Sequence, residues 1–269
     1  MSEGAPWQLK MFKKGLKKNL RLKSLQRALG RIEDDERCML ITCGDNNGAM
    51  NYFLRELGGK WSWVDLEDTC IDEISALLGE SVEFSADEKI SFEDGLFDHV
   101  IAIDVHEHVE DPNVITQEIR RVTKPNGQMI ITVPNGDEDK LAVRIKHALK
   151  MTKEAYGHRR VGFTVDELSD LMVKNRITPL MVDTYSRFFT EMLELSINLL
   201  YVKVLKKDSK NADEHAEIAP ATSAQLEKVS GSYKLYSLIF PIYWAISKLD
   251  LLLSFTEGYC VLITGRRDS

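Results

Sequence analysis

The sequence predicts an α/β fold in which short strands and helices alternate around one sheet. Three observations support this prediction. The chain has 269 residues, 43% hydrophobic and 29% charged, which is typical of a soluble globular protein with its own core. Short apolar runs alternate with helix-like segments between residues 39 and 133, which is the rhythm of βαβ units. The turn after the first apolar run is rich in Gly and Asn, as expected where a strand passes into a helix.

Seven segments have the apolar character and the polar or Gly/Pro flanks of a strand. They are residues 39–43, 61–64, 82–85, 99–104, 128–133, 180–185 and 259–264. Helices are predicted up to residue 57 and over residues 70–78, 111–121 and 164–174. The last of these begins at Thr164 with Glu167 three residues later, which is a capping-box pattern.

The N-terminal segment predicts a basic amphipathic helix. Residues 10–31 contain nine Lys or Arg and no acid, and Leu or Phe recurs every three to five residues. We therefore assign residues 1–35 to a basic helical arm. Two interpretations remain open: the helix packs one face on the domain, or it is drawn to anionic lipid or covers a negatively charged substrate.

A long insertion separates the last two strands. It contains an apolar helix (residues 188–205), a polar segment (206–230) that predicts a loop, and an apolar tract (235–247) that is too short for a bilayer span of roughly 20 residues. We predict a core of residues 36–187 and 257–269 and an inserted helical lid of residues 188–256. The apolar residues of the lid either line a pocket for a lipid tail or pack on each other or at a dimer interface.

Charge and cysteine usage narrow the function classes. The net charge of −7 argues against a dedicated nucleic-acid protein. The four cysteines form no CxxC pair, so we expect a reducing compartment, no disulfide and no metal site. The Lys-rich N-terminus is not followed by an apolar run of signal-peptide length. We expect a cytoplasmic protein with peripheral contact to the inner face of an anionic membrane.

The first strand leads into a turn that is suited to bind a nucleotide-like ligand. Residues 43–48 read CGDNNG, which brings backbone N–H groups to the start of a helix. Asp65 follows Gly48 by 17 residues, close to the roughly 20-residue spacing at which an acid receives two ribose hydroxyls. The alternative is that Asp65 caps the next helix.

Three later segments carry a family resemblance. Residues 92–112 read FEDGLFDHVIAIDVHEHVEDP, residues 124–128 read KPNGQ, and residues 133–135 read VPN. The chain resembles class I S-adenosylmethionine-dependent methyltransferases, in the branch of the ubiquinone, menaquinone and envelope-glycan-associated enzymes. The match covers about residues 38–185 and the strand that follows Gly258. The resemblance implies a Rossmann-like, seven-stranded, mostly parallel sheet with an antiparallel last strand, and S-adenosylmethionine as cofactor.

The resemblance also implies which residues hold the cofactor. The turn stands where the family has G-x-G-x-G, Asp65 would hold the ribose hydroxyls, and Asp87 would face the adenine. The chain departs from the family at Thr42, where an acid is usual, and at Asn46, where the middle glycine is usual; Asn tolerates a left-handed backbone better than other residues with a side chain. The cofactor-binding residues implied are Gly44, Asp45, Asn46, Gly48, Asp65, Leu66, Asp87, Asp104 and Val105.

Methyl transfer requires alignment, exclusion of water and, for a hydroxyl or acidic carbon, a base. His106 and His108 follow the fourth strand, and His158 lies in a segment that resembles the family's G-H-x-R. Each could instead be a structural histidine. We expect O-methylation of a small or lipid-linked acceptor and, since no amine-methylating motif follows the fourth strand, no nucleic-acid substrate. The alternative is a catalytically silent cofactor-binding or scaffold protein. The sequence predicts no oligomeric state.

Overall fold

One mixed sheet forms the centre of the molecule. In a computed structural model of the protein, the described residues are 6–44, 46–149, 158–208 and 222–269. Their seven strands have the order β3-β2-β1-β4-β5-β7-β6, and β7 alone runs antiparallel to its neighbours. This confirms the predicted fold class. The strands are β1 (Arg37–Thr42), β2 (Lys60–Asp65), β3 (Val82–Phe84), β4 (Phe97–Ile103), β5 (Thr123–Pro134), β6 (Ile177–Tyr185) and β7 (Cys260–Arg267).

Helices cover both faces of this sheet and bury two apolar clusters. One cluster joins the sheet to α5 and α7, and the other joins it to α1, α2, α3 and α4. The helices are α1 (Trp7–Phe12), α2 (Leu16–Leu29), α3 (Ala49–Arg55), α4 (Ile71–Leu78), α5 (Pro112–Val122), α6 (Leu141–Ala148), α7 (Val165–Lys174), α8 (Phe188–Asp208), α9 (Ser223–Ser247) and a 3₁₀ helix (Lys248–Leu253).

Side-chain caps set two helix starts that the sequence predicts. Thr164 Oγ1 accepts from Glu167 N at 3.2 Å, and Thr164 N donates to Glu167 Oε2 at 2.8 Å, so the capping box is confirmed. Asp111 accepts from Asn113 N at 2.9 Å before Pro112, the first residue of α5. Helix α6 was not predicted from the sequence.

The N-terminal arm forms two helices rather than the one predicted. Helix α1 ends at Phe12, and α2 begins at Leu16 after Gly15. Leu22, Leu25 and Leu29 of α2 are buried in the cluster that includes β1 and α3. The apolar face of the arm therefore packs on the domain, as the first interpretation predicts. Lys13 and Lys23 remain exposed.

The inserted segment is more helical than predicted. The predicted loop at residues 206–230 is wrong at both ends, since α8 continues to Asp208 and α9 begins at Ser223; residues 209–221 lie outside the described residues. The predicted shortness of the apolar tract is also wrong. Because α9 continues into the 3₁₀ helix, Tyr233–Leu253 forms one 21-residue stretch that is long and apolar enough to cross a membrane, and its apolar part is not buried inside the protein.

Truncation of Leu25 tests whether the arm belongs to the core. Leu25 is 0% exposed, so Leu25→Ala removes buried methyl groups and leaves a cavity, and we expect a loss of about 3 kcal/mol in the free energy of unfolding. Urea denaturation measures this loss. The exposed neighbour Gln26→Ala serves as a control and should change stability by less than about 0.5 kcal/mol. Equal small effects of both variants would contradict the packing.

Candidate active site

The candidate site lies where the strand order reverses. From β1 the chain proceeds to β2 on one side, whereas β4 pairs with β1 on the other side. In open α/β sheets, ligands bind beyond the carboxyl ends of the strands at such a switch point. The turn after β1, the end of β2 and residues 104–108 after β4 all meet this edge.

The turn after β1 requires glycine at two positions. Gly44 has φ +71° and Gly48 has φ +83°, values that disfavour side chains, and Gly48 precedes α3. A Cβ atom on Gly44 would lie 2.2 Å from Oε2 of Glu67. The turn thus brings bare backbone to the start of a helix, as a bound cofactor requires. The predicted contact Asp45 lies outside the described residues.

Asp65 fixes the shape of this turn. Its side chain is 0% exposed, and Oδ1 accepts from Gly44 N at 2.8 Å and from Glu67 N at 3.0 Å. Oδ2 accepts from Thr42 Oγ1 at 2.7 Å. Burial raises the pKa of Asp65, although these hydrogen bonds favour the charged form. Its protein partners make Asp65 a brace between β1, β2 and the turn, and its predicted contact with ribose stays a prediction.

Asn46 keeps the turn in shape in place of a glycine. Its Oδ1 accepts from Gly48 N at 3.0 Å, and its Nδ2 donates to Asn51 Oδ1 at 2.9 Å and to Thr42 Oγ1 at 3.2 Å. The side chain is 7% exposed and is directed into the protein. The two departures from the family pattern, Thr42 and Asn46, therefore bond to each other.

Glu67 is an acid at the turn that sequence reasoning missed. It is exposed, its carboxylate lies next to Gly44, and Oε1 is 3.8 Å from Cys43 Sγ. Unlike Asp65, it is open to a ligand, so it can receive ribose hydroxyls. The available signal was its position two residues beyond Asp65, just after the end of β2.

The remaining predicted cofactor contacts divide between surface and core. Asp87 is exposed after β3, where Ser85 N donates to Asp65 O at 3.0 Å and holds this segment beside the site. Leu66 and Val105 are buried, and Val105 belongs to the apolar cluster under the sheet. The side chain of Asp87 can therefore contact a ligand directly. The side chain of Val105 packs in the core beneath the site and is not available to a ligand.

Asp104 forms an ion pair with an arginine of the N-terminal arm. It has φ +50° at the end of β4, and its Oδ2 forms an ion pair with Nη2 of Arg21 on α2. Arg21 Nε also donates to the Tyr185 hydroxyl at 2.9 Å, and that hydroxyl is 2.7 Å from Thr132 Oγ1. Burial and Asp104 raise the pKa of the Tyr185 phenol, although Arg21 opposes this. The arm thus contacts the carboxyl ends of β4 and β6, and Tyr185 links it to β5.

A second ion cluster lies beside this contact. Glu191 at the start of α8 accepts from Lys146 Nζ at 2.7 Å and from Ser186 Oγ at 2.6 Å, and Lys17 Nζ is 3.0 Å away. Burial opposes the charge, but Lys17 and Lys146 hold the pKa of Glu191 well below its usual range. Charged groups from α2, α6 and α8 therefore converge here.

The side chain of His106 is buried in the core rather than exposed at the edge, which corrects its assignment as a base. It is 0% exposed, and its Nε2 lies 3.1 Å from Thr116 Oγ1, which itself donates to Pro112 O. Nε2 therefore carries the proton. Burial and the nearby Arg160 cation lower the pKa of His106 to about 3. His106 is a structural histidine between β4 and α5.

The other two predicted histidines come together. The rings of His108 and His158 are 4.6 Å apart, and both residues are partly exposed. Burial and His108 lower the pKa of His158 to about 4. Glu107, between His106 and His108, is 0% exposed, and burial and Asp104 raise its pKa. Ligand atoms of Glu107, His108 and His158 lie within 4.8 Å of one another and could hold a metal, as could those of Cys43, Glu67 and His108.

Comparison with known proteins identifies the domain. Residues 41–131 match the family model described as "Methyltransferase domain". This match supports the resemblance to class I S-adenosylmethionine-dependent methyltransferases. The matched range contains the Gly44–Gly48 turn, Asp65, Glu67 and the histidines after β4. The resemblance to the ubiquinone, menaquinone and envelope-glycan branch stays a prediction. No curated protein matches the chain in sequence.

Solved methyltransferases share this fold at low sequence identity. A SAM-dependent methyltransferase from Thermotoga maritima is 18% identical with a TM-score of 0.55, covering 96% of this chain and 93% of that one. Geranyl diphosphate C-methyltransferase from Streptomyces coelicolor A3(2), solved with S-adenosyl-L-homocysteine, is 14% identical with a TM-score of 0.54, covering 93% and 76%. Phosphoethanolamine N-methyltransferase 2 from Haemonchus contortus, solved with S-adenosyl-L-methionine, is 16% identical with a TM-score of 0.53, covering 93% and 53%.

The buried state of His106 predicts a pH effect on stability. Below pH 6.5 the unfolded histidine binds a proton that the folded one excludes until about pH 3, so stability falls as pH falls. Between pH 7 and pH 5 this residue lowers the free energy of unfolding by about 2 kcal/mol. In His106→Gln, the loss of unfolding free energy over this interval should be smaller by that amount. Thr116→Val, which keeps the histidine, should retain the full loss; identical losses in all three proteins would contradict the assignment.

Proposed function

We propose that the protein methylates an oxygen atom of a small or lipid-linked acceptor with S-adenosylmethionine as donor. S-adenosylmethionine supplies an activated methyl group, so the protein has to align the acceptor, exclude water and remove a proton. The observation that carries the proposal is the pairing of a bare Gly44 turn with the exposed carboxylate of Glu67, inside the matched domain.

The geometry favours a working cofactor site over a silent scaffold. The scaffold alternative relied on Thr42 and Asn46, which replace the usual acid and glycine. Thr42 donates to Asp65 and Asn46 accepts from Gly48 N, so the turn keeps its shape without the usual acid and glycine. A scaffold would not need an exposed acid at Glu67 or a second at Asp87, both at the same edge.

His158, with His108 beside it, is the candidate base. A neutral imidazole can take a proton from a hydroxyl, and the low pKa of His158 keeps it neutral at physiological pH. Asp104 and the Arg21 guanidinium lie at the end of the same strand edge. These groups can orient a polar acceptor while the histidine removes its proton.

A groove beside the site supports an acceptor with an apolar tail. Its volume is about 810 Å³, and it lies between α2, the end of β6 and α9. Tyr185 lines the groove and also bonds Arg21, which contacts Asp104, so the groove leads toward the candidate site. Phe240 and Trp244 supply an apolar wall. The proposed lid of residues 188–256 would supply this wall and cover a lipid-linked acceptor.

Calorimetric titration with S-adenosylhomocysteine tests the cofactor site. Wild-type protein should bind, Glu67→Gln should weaken binding about tenfold by loss of a charged hydrogen-bond acceptor, and Asp65→Asn should weaken it further because the turn loses its brace. The exposed Glu93→Gln serves as a control without effect. Absence of binding by folded wild-type protein would contradict the proposed function.

A second test concerns the base. With radiolabelled methyl donor and an acceptor found in lipid or glycan fractions, His158→Gln should lower turnover about 100-fold without changing affinity for S-adenosylhomocysteine. Because the neutral form accepts the proton, activity should persist above pH 5 and fall as pH approaches 4. His147→Gln on α6 serves as a control. Unchanged turnover in His158→Gln would exclude it as the base.

A further inference from the structure

An unpartnered apolar face extends along α9 and the 3₁₀ helix. Leu238 is 77% exposed and Ile242 is 62% exposed, and Leu235 and Leu249 continue their row at intervals that keep one side of a helix. Phe255, just beyond the 3₁₀ helix, is 83% exposed. Such a contiguous surface on a globular protein marks a contact with another apolar phase.

The composition of this face matches a lipid–water boundary. Residues 235–247 contain no charged side chain, and Lys234 and Lys248 flank them. Lys248 Nζ lies 4.6 Å from the centroid of the Trp244 ring. Lysines at the ends of an apolar segment and Trp beside them are typical of helices at membrane interfaces, because both have apolar bodies and polar ends.

The basic arm lies on the same side of the molecule. Lys13 and Lys23 line the groove opposite Trp244, and both are exposed. Lys14 Nζ lies 5.7 Å from the ring centroid of Tyr233, and its carbonyl accepts from the Tyr236 hydroxyl. Positive charge therefore borders the apolar face, although the chain as a whole has a net charge of −7.

Both ends of this segment are hydrogen-bonded to other parts of the domain. Ser223 N donates to Glu73 Oε1 on α4 at 2.8 Å. At the other end, Asp250 accepts from Phe189 N at 2.8 Å and Thr190 N at 3.1 Å, and Arg187 Nε donates to Leu253 O at 2.9 Å. A helix that crossed a bilayer would have to break these contacts, whereas a helix lying in the membrane plane keeps them.

We propose that α9 and the 3₁₀ helix insert their apolar face into one leaflet of an anionic bilayer, with the basic arm on the headgroups. This arrangement buries the exposed leucines in lipid and pairs the Lys13 and Lys23 side chains with anionic headgroups. A second copy of the chain fits less well, because an isologous dimer would bring the same lysine-bordered patch against itself. The proposal is independent of methyl transfer, since membrane binding needs neither cofactor nor acceptor.

Flotation of the full chain with vesicles tests the proposal. Wild type should float with phosphatidylcholine vesicles that contain phosphatidylglycerol. Leu238→Glu with Ile242→Glu should reduce the bound fraction at least about tenfold, because acids enter the apolar region at high cost. Lys13→Glu with Lys23→Glu should reduce binding about as much at low salt. Val173→Glu, an equally exposed apolar site on α7, should leave it unchanged.

Affinity for S-adenosylhomocysteine shows that each variant is folded and separates this proposal from the proposed function. Wild type that binds S-adenosylhomocysteine but not vesicles would overturn the membrane surface alone. Vesicle binding at the wild-type level by the variant Leu238→Glu with Ile242→Glu would also overturn it. A wild-type dimer that the same two substitutions dissociate would overturn it as well, because the apolar face would then be a contact between two copies of the chain.

The depth and direction of insertion can be measured separately. Brominated phosphatidylcholine should quench the fluorescence of wild type more than that of Trp244→Phe. Cysteines introduced at Lys234 and Glu257, polar positions on either side of the apolar stretch, should both react with an impermeant thiol reagent added outside the vesicles. The four native cysteines are buried and should not react. Equal quenching in both proteins, or protection of one introduced cysteine inside the vesicle, would contradict insertion in the membrane plane.

Discussion

The candidate site depends on the buried carboxylate of Asp65. It accepts hydrogen bonds from Thr42, Gly44 N and Glu67 N, and so joins the ends of β1 and β2 to the turn between β1 and α3. These bonds hold Gly44 in the left-handed region and place Glu67 beside it. A buried charge that lost such partners would be costly, so the same contacts that shape the site also stabilise the fold.

Periodicity and turn chemistry predicted the fold because both act locally. The strands, the Thr164 capping box and the Gly44–Gly48 turn follow from residues within a few positions of each other. The site was predicted less completely because its chemistry depends on tertiary contacts. The sequence places His106 and His108 two residues apart, yet Thr116 holds the first in the core while the second meets His158 from a distant segment. The Arg21–Asp104 pair joins residues 83 positions apart and has no local signal.

The N-terminal arm connects the candidate site to the outer surface. Arg21 contacts Asp104 on the inner side of α2, whereas Lys13 and Lys23 face the groove toward α9. Apolar residues of α2 are buried in the core, so the helix is a fixed part of the domain with two differently charged environments. In the proposed arrangement, a lipid-linked acceptor would pass from the leaflet along the groove to the edge where the histidines lie.

The central claim is that the turn braced by Asp65 binds the methyl donor. Hydrogen exchange followed by mass spectrometry, with and without S-adenosylhomocysteine, tests it directly on the wild-type chain. We predict slower exchange in peptides that contain residues 43–48 and 65–67, because a bound cofactor would cover the backbone amides beside Gly44. Unchanged exchange in both peptides at saturating ligand, with protection elsewhere, would contradict it.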